Sequence, residues 1–387
     1  MKKYVIWSLI IIVFAGLGVY LLSNGKEAPN VKAQISVSKA LSGDNNSGFE
    51  RAVSPRNFSF PSDHGAHNSF RSEWWYFTGN LETKQGRHFG YQFTIFRTAV
   101  TADSIRSLSG WRTNQIYMGH FTLTDVQNNQ FYAFERFSRG AEGLAGADAS
   151  PFKVWLLDWQ VKAKGENIRY DLPQLNLTAS DQNIAIYITL ESLKPIVFQG
   201  NKGLSQKGPE EGNASYYYSA PRLMTKGKIQ LGGEQFDVTG LSWMDREWST
   251  SALSKDQAGW DWFSLQLNDG REVMYYQMRE KDGRPDQFSN GVVIDKDGNT
   301  KPLKPEQVEL SVLQSWQSPL GGIYPSGWRL KIPEEKMDLE ITPYIKDQEL
   351  NVSLHYWEGA VKISGTSAGK NLQGSGYVEL TGYEKEL

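Results

Sequence analysis

The stretch Ser242-Trp243-Met244-Asp245-Arg246-Glu247-Trp248-Ser249 decides how the chain is read, because two acids, a guanidinium and two indoles follow one another on a segment with strand-like flanks. On an extended strand successive side chains point to opposite faces, so Trp243, Asp245 and Glu247 share one side and Met244, Arg246 and Trp248 the other. An indole beside carboxyl groups can bind an apolar molecule and protonate it. Apolar surroundings raise an acid's pKa, and a ring face stabilises positive charge that develops nearby. The same residues can instead fill a β core and pair their charges at its rim.

The alternation extends outward from this segment. Gly259-Trp260-Asp261-Trp262-Phe263 is a second aromatic and acidic cluster. In Phe89–Arg97 the residues Phe89, Tyr91, Phe93, Ile95 and Arg97 fall on one face, and Gly90, Gln92, Thr94 and Phe96 on the other. Short alternating runs closed by turn residues recur at Trp74–Leu81, Ile116–Thr124, Gln130–Phe137, Val273–Arg279, Leu354–Lys362 and Gly374–Glu379, the pattern of antiparallel strands. Asp269-Gly270, Asp282-Gly283 and Asp297-Gly298 punctuate the second half at hairpin spacing. No stretch after the N-terminal segment sustains a helical apolar period, so the fold is expected to be mainly β with few, short helices. About 325 residues of globular sequence exceed the usual single core and predict two antiparallel barrels or sandwiches. The division is placed near Met224, after the polar run Gly200–Asn213 and the proline of Ser219-Ala220-Pro221-Arg222, which lacks a ladder donor. Residues 60–224 then form an N-terminal domain and residues 225–387 a C-terminal one.

The first residues bear on location. Met1-Lys2-Lys3 precedes Tyr4–Leu22, an uncharged, largely apolar run of 19 residues. As a helix it reaches about 28 Å, close to the hydrocarbon thickness of a bilayer. Small residues of a cleavage site do not follow it directly, so residues 1–24 are read as a membrane anchor in preference to a removed signal. The lysines place the N-terminus inside and the bulk of the chain in the periplasm or another extracytoplasmic space. Residues 25–59, rich in Ser, Asn, Ala, Gly and Lys, read as a flexible linker. The absence of cysteine excludes disulfides and thiolate metal sites. A net charge of −2 with mixed signs offers no basic stripe for nucleic acid.

At its Trp-rich segments the chain resembles the secreted AttH-like proteins, which share a two-domain lipocalin-like architecture with bacterial carotenoid 1,2-hydratases. The resemblance rests on Phe60-Pro61-Ser62-Asp63-His64-Gly65-Ala66-His67, Glu73-Trp74-Trp75-Tyr76-Phe77-Thr78-Gly79, Ser242 to Ser249, Gly259 to Phe263, and Tyr356-Trp357-Glu358-Gly359-Ala360-Val361 through Gly376 to Tyr383. It spans nearly the whole globular part and implies two lipocalin-like antiparallel β-barrel domains after the N-terminal transmembrane helix. It also implies a chemistry, in which a carboxylic acid protonates a terminal isoprenoid double bond, aromatic rings stabilise the tertiary cation and water adds. By motif position that acid is Asp245. Trp243 matches an aromatic member of the site, and Tyr216 and Tyr218 match two further positions provided that no gap intervenes. The pattern departs after the acid, where the hydratases carry histidine and asparagine and this chain has Arg246 and Glu247. A neighbouring guanidinium would keep Asp245 ionised unless Arg246 is committed to Glu247 or points away. Asp245 and Glu247 on one face can also share a proton.

Rival chemistries find less support. His64 and His67 lie near Asp63 and Glu73 in a loop-like segment that does not hold them on one face, so no metal site is expected. His120 and His355 fall in strands and read as hydrogen-bonded core or cavity residues. No Gly-x-Ser-x-Gly elbow supports a serine hydrolase. Two functions remain. In the first, an aromatic-lined cavity near the domain junction binds an apolar, lipid-like or isoprenoid molecule, with Trp75, Trp248, Trp260, Trp262, Tyr276 and His120 as its lining. In the second, a hydratase or hydrolase acts on such a molecule through Asp245 with Trp243, Tyr216, Tyr218 and Glu247. Neither calls for a cofactor, and no protein partner is indicated. The alternative role for the marked charges is a buried network of Glu73, Arg97, Arg246, Glu247 and Asp261 at the domain junction.

Overall fold

The computed structural model describes residues 35–36, 46–103, 109–251 and 253–384. The expected membrane segment Tyr4–Leu22 lies outside them, and among the described residues no helix is long and apolar enough to cross a membrane. Helices there are confined to single 3-10 turns at Ser62–His64, Pro305–Gln307 and Pro333–Glu335.

The alternating segments assemble into two large sheets. The first has thirteen strands; its main path runs Gln130–Arg139, Gln115–Asp125, His88–Ala99, Ser72–Glu82, Glu234–Ser249, Ala214–Leu231, Ile184–Ser192, Leu172–Asp181, Trp159–Arg169, Phe152–Leu156 and Ala145–Ala149. Phe152–Leu156 approaches His88–Ala99, Gln115–Asp125 and Gln130–Arg139, so this sheet curls nearly closed into a barrel. The second has eleven strands, with Glu272–Glu280, Gln257–Leu267, Lys370–Leu380, Leu354–Ser367 and Met337–Pro343 side by side in its middle. Its hairpins turn at Gly270 and Gly298, whose φ values of +88° and +92° favour glycine.

The two sheets repeat one connection. Ser72–Glu82 pairs with His88–Ala99 on one side and with Glu234–Ser249 on the other, and Glu234–Ser249 pairs with Ala214–Leu231. Likewise Gln257–Leu267 lies between Glu272–Glu280 and Lys370–Leu380, and Lys370–Leu380 pairs with Leu354–Ser367. The division expected near Met224 falls inside the continuous strand Ala214–Leu231, because Pro221 sits at a register shift between Ala220 and Leu223 and does not end the strand. The chain passes from the first sheet to the second between Ser249 and Gln257.

The later part of the expected linker is not a free tether. Phe49 and Ala52 are buried, and Phe58 packs edge-on against Tyr216, Tyr218 and Trp248. Polar composition alone points to a tether, but a few apolar residues suffice to bury such a segment against exposed rings.

Each sheet encloses its own core, around Trp75, Phe93 and Trp159 in the first and Phe263, Trp328 and Trp357 in the second. A third cluster is shared: Tyr76, Tyr217 and Trp243 of the first sheet meet Trp262, Met274 and Tyr276 of the second. Polar ties cross beside it. Gln266 donates to the carbonyls of Pro221 (2.8 Å) and Ser242 (2.9 Å), and Asn80 to that of Gly376 (2.9 Å). Gly90 is needed where the sheets touch, since a Cβ there would lie 2.5 Å from that of Ala360.

The expected charge network exists in three separate pieces. Glu73, wholly buried, accepts from Arg97 and Arg246 and from the His67 amide. Burial opposes its charge, but the two guanidinium groups outweigh it and hold the carboxyl well below the usual range. Asp261 pairs instead with Arg279 (2.9 Å), and Glu247 with Lys207 (3.4 Å). Removing one partner from the first group leaves buried positive charge uncompensated. We expect Glu73→Gln to lower unfolding stability by about 3–5 kcal/mol in denaturant titrations; an unchanged midpoint would refute this assignment.

Candidate active site between the two sheets

The shared cluster does not fill its space. It leaves a cavity of about 120 Å³ lined by residues of both sheets. The period of two in Glu234–Ser249 determines what enters it. Asp245 and Glu247 face the cavity, while Met244 joins the barrel core and Arg246 turns to Glu73, the carbonyl of Gly65 and the ring of Trp75. Arg246 is thus committed to Glu73, not to Glu247, on the face away from Asp245.

Asp245 is 3% exposed. Its Oδ1 accepts from Ser219 Oγ (2.5 Å) and Trp243 Nε1 (2.6 Å), and its Oδ2 from Tyr217 Oη (2.6 Å). Burial pushes its pKa up to about 7, overcoming the three donors, and the nearby Glu247 adds to the rise. Glu247 accepts from Ser215 and faces Lys207. The second sheet supplies two more acids to the same space. Glu358 accepts from Tyr76 Oη at 2.9 Å, and Glu379 from Trp260 Nε1 at 3.1 Å. Desolvation, with Glu379 alongside, holds Glu358 well above the carboxylate range, and desolvation with Glu247 and Asp245 pushes Glu379 up to about 8. Rings of Trp74, Tyr76, Trp260, Trp262 and Tyr276 form much of the remaining wall.

The residues expected from sequence divide between the two faces. Asp245, Glu247, Trp260, Trp262 and Tyr276 line the cavity. Trp243 stands behind Asp245 as a donor, its ring 6.3 Å from that of Trp262. Tyr216 and Tyr218 do not enter. They pack on the far side with Trp248, and Tyr218 is hydrogen-bonded to His64 (2.7 Å). Of the three consecutive tyrosines it is Tyr217 that lines the cavity, and its hydroxyl also accepts from Trp262 Nε1 at 3.1 Å. In the ladder Ser219 stands opposite Asp245, so Tyr217 shares the side of the sheet that Asp245 faces and Tyr216 and Tyr218 lie on the other; the gap-free match to the family pattern points to the wrong face. Trp75 lies in the barrel core and donates to the His64 carbonyl (2.8 Å), and Trp248 stacks on His67 at 3.7 Å. His120 stands behind the lining, with Nδ1 2.7 Å from Tyr356 Oη and Nε2 3.2 Å from Glu135. Ser219, Lys207, Tyr356, Glu358 and Glu379 belong to the site as well, beyond the residues that the sequence points to. An acid within an apolar strand, as in Trp357-Glu358-Gly359 and Val378-Glu379-Leu380, is the signal that could have found the last two.

The AttH-like family model matches residues 51–383. The chain belongs to the AttH-like family. An AttH protein of Nitrosomonas europaea, known from its crystal structure, is 34% identical with a TM-score of 0.75, over 87% of this chain and 100% of that one. Kievitone hydratase of Fusarium solani subsp. phaseoli is 25% identical over 218 residues, 54% of this chain and 60% of that protein. The chain thus spans about 60% of the length of the curated relative it matches. The crystal structure of kievitone hydratase from Nectria haematococca shares the fold, with a TM-score of 0.65 at 18% identity over 87% of this chain and 98% of that one.

The raised pKa of Asp245 fixes the sign of a stability effect. Unfolded, the group releases its proton near pH 4; folded, near 7. The stability it contributes is complete below about pH 4 and is lost as pH rises through 7. Asp245→Asn, which cannot ionise, should therefore be more stable than wild type by about 2–4 kcal/mol at pH 8 and similar at pH 4. Thermal melts across that range check it, and a variant less stable at pH 8 would contradict it.

Proposed function

We propose that the cavity takes the apolar, alkenyl end of a lipid-like or isoprenoid molecule and that Asp245 exchanges a proton during addition or removal of water at its double bond. One observation carries this reading: a carboxyl buried among aromatic rings, with no cation bonded to it, titrates near neutrality. A group that changes charge near the working pH can give and take a proton, and ring faces stabilise a cation formed beside it. The likeness to kievitone hydratase supports a hydratase chemistry for the same fold. The size is suitable, since an apolar cavity of about 150 Å³ holds one benzene, and about 120 Å³ therefore suits a five- or six-carbon end. Such an end belongs to a larger molecule only if the remainder leaves through an opening.

Each half of the molecule then acts as a lipocalin-like barrel that walls the ligand. An anchor at Tyr4–Leu22 in the inner membrane would hold the protein where apolar substrates concentrate, on the extracytoplasmic side. A second reading, binding without turnover, is favoured by the three donors on Asp245, which occupy both of its oxygens and steady it as a structural acceptor.

Mutation separates the two. Under the hydratase reading Asp245→Asn should cut turnover by at least about 100-fold while leaving affinity for the molecule that co-purifies with the membrane-extracted protein within a few-fold. Turnover unaffected by this substitution would leave only the binding reading. Tyr217→Phe should lower the rate and Tyr216→Phe should not, because only Tyr217 touches Asp245. Steady-state kinetics on both variants test that contrast.

A further inference from the structure

The two oxygens of Glu358 differ in their surroundings. Tyr76 Oη donates to Oε2, whereas Oε1 has no hydrogen-bond partner among the described residues. The side chain is completely buried from bulk solvent and belongs to the cavity wall. Leaving a carboxylate oxygen buried without a donor is costly, but a carboxylic acid with its O–H on Oε1 meets that cost by becoming neutral. The neighbours demand the same state. Glu379 lies directly opposite on the paired strand, and two like charges at facing positions repel. The groups facing Glu358 are Tyr76 from Ser72–Glu82, Glu379 and Tyr377 from Lys370–Leu380, and Tyr356 from its own strand; none is a cation.

Asp245 is placed differently. Each of its oxygens already accepts from a neighbouring donor, an arrangement that suits the ionised form. The two acids stand on different strands of the repeated connection: Asp245 on the strand that closes the first sheet back on Ser72–Glu82, and Glu358 on the strand beside the one that closes the second.

We propose that the site is a two-acid one, in which Glu358 of the second sheet is the proton donor that meets the alkene and Asp245 of the first is the carboxylate that takes the proton from water. This deepens the hydratase reading and rests on it. The alkene π pair bonds the Glu358 proton, leaving a tertiary cation and the Glu358 carboxylate. A water lone pair closes the C–O bond, and the water's second proton passes to Asp245. Net, the alkene gains water, and the cycle closes when Asp245 returns its proton to Glu358 through solvent admitted as product leaves. Environments that hold two acids in different protonation states are how one site runs both halves of such a reaction. The same wall selects its ligand, because a carboxylate or phosphate at the Glu358–Glu379 end would meet like charge or force both acids to stay neutral.

The probe is 3-methyl-2-buten-1-ol, a five-carbon alkene, added to the full chain. Difference infrared spectra recorded at about pH 9, above the values near 7 and 8 to which burial pushes Asp245 and Glu379, should show a protonated-carboxyl carbonyl stretch that shifts on binding. It should vanish in Glu358→Gln and persist in Asp245→Asn and Glu379→Gln. A band that survives Glu358→Gln, or no responding carboxyl band at all, overturns the inference whatever the turnover. If wild type hydrates the probe, measured as 3-methylbutane-1,3-diol formed, Glu358→Gln should lower kcat by about 100-fold or more with KM little changed, and a kcat within about threefold of wild type overturns it. If the band behaves as expected and wild type forms no diol, the neutral acid at Glu358 stands, and it is hydration of this probe class, with the donor role built on it, that fails.

Discussion

A strand that must bury charge on both of its faces dominates this molecule. In Glu234–Ser249 the guanidinium of Arg246 and the carboxyl of Asp245 are adjacent in sequence, and in water they would simply pair. The pleat prevents it, sending them to opposite sides of a sheet whose two faces are both covered. Each then has to be accommodated where it lands. Arg246 finds Glu73 and two aromatic rings. Asp245 finds hydroxyl and indole donors but no cation, and its charge is poised against burial. An acid near neutrality is the product of that separation and not of any unusual residue.

The separation works only because the second sheet is present. A lone barrel would leave Tyr76, Tyr217 and Trp243 on a wet outer face, with Asp245 solvated and ordinary. Packing Trp262, Met274 and Tyr276 over them removes the water. The direct sheet-to-sheet bonds from Gln266 and Asn80 hold the two layers at fixed distance, and Gly90 allows the backbones to approach beside Ala360. The cavity persists between these contacts because its walls are large, stiff rings whose shapes leave a gap, and because four carboxyl groups prefer separation to close packing.

The repeated connection gives the architecture a certain economy. The strand that closes each sheet back on its first hairpin, or the strand beside it, brings acids to the junction: Asp245 and Glu247 in the first, Glu379 and Glu358 in the second. Among the described lining residues Lys207 is the only cation, and it faces Glu247. The space is consequently suited to neutral ligands or to positive charge that appears on them.

By itself the sequence determined the local periodicities. A period of two with turn glycines fixed the β class, and the same period correctly placed Asp245 and Glu247 on one face and Arg246 on the other, since pleating is a property of the backbone. The Trp-rich segments also identified the family. Only tertiary structure decided the rest. Which of Tyr216, Tyr217 and Tyr218 faces Asp245 depends on the pairing register of the two strands, which no local rule announces. That Trp75 packs in the barrel core and Trp248 among Tyr216 and Tyr218, neither of them in the cavity, depends on which side of the sheet receives the second one. Glu358 and Glu379, more than a hundred residues from Asp245, join it through sheet packing alone, and desolvation, which sets the chemistry of all three, is a property of the assembled interface that no isolated strand possesses.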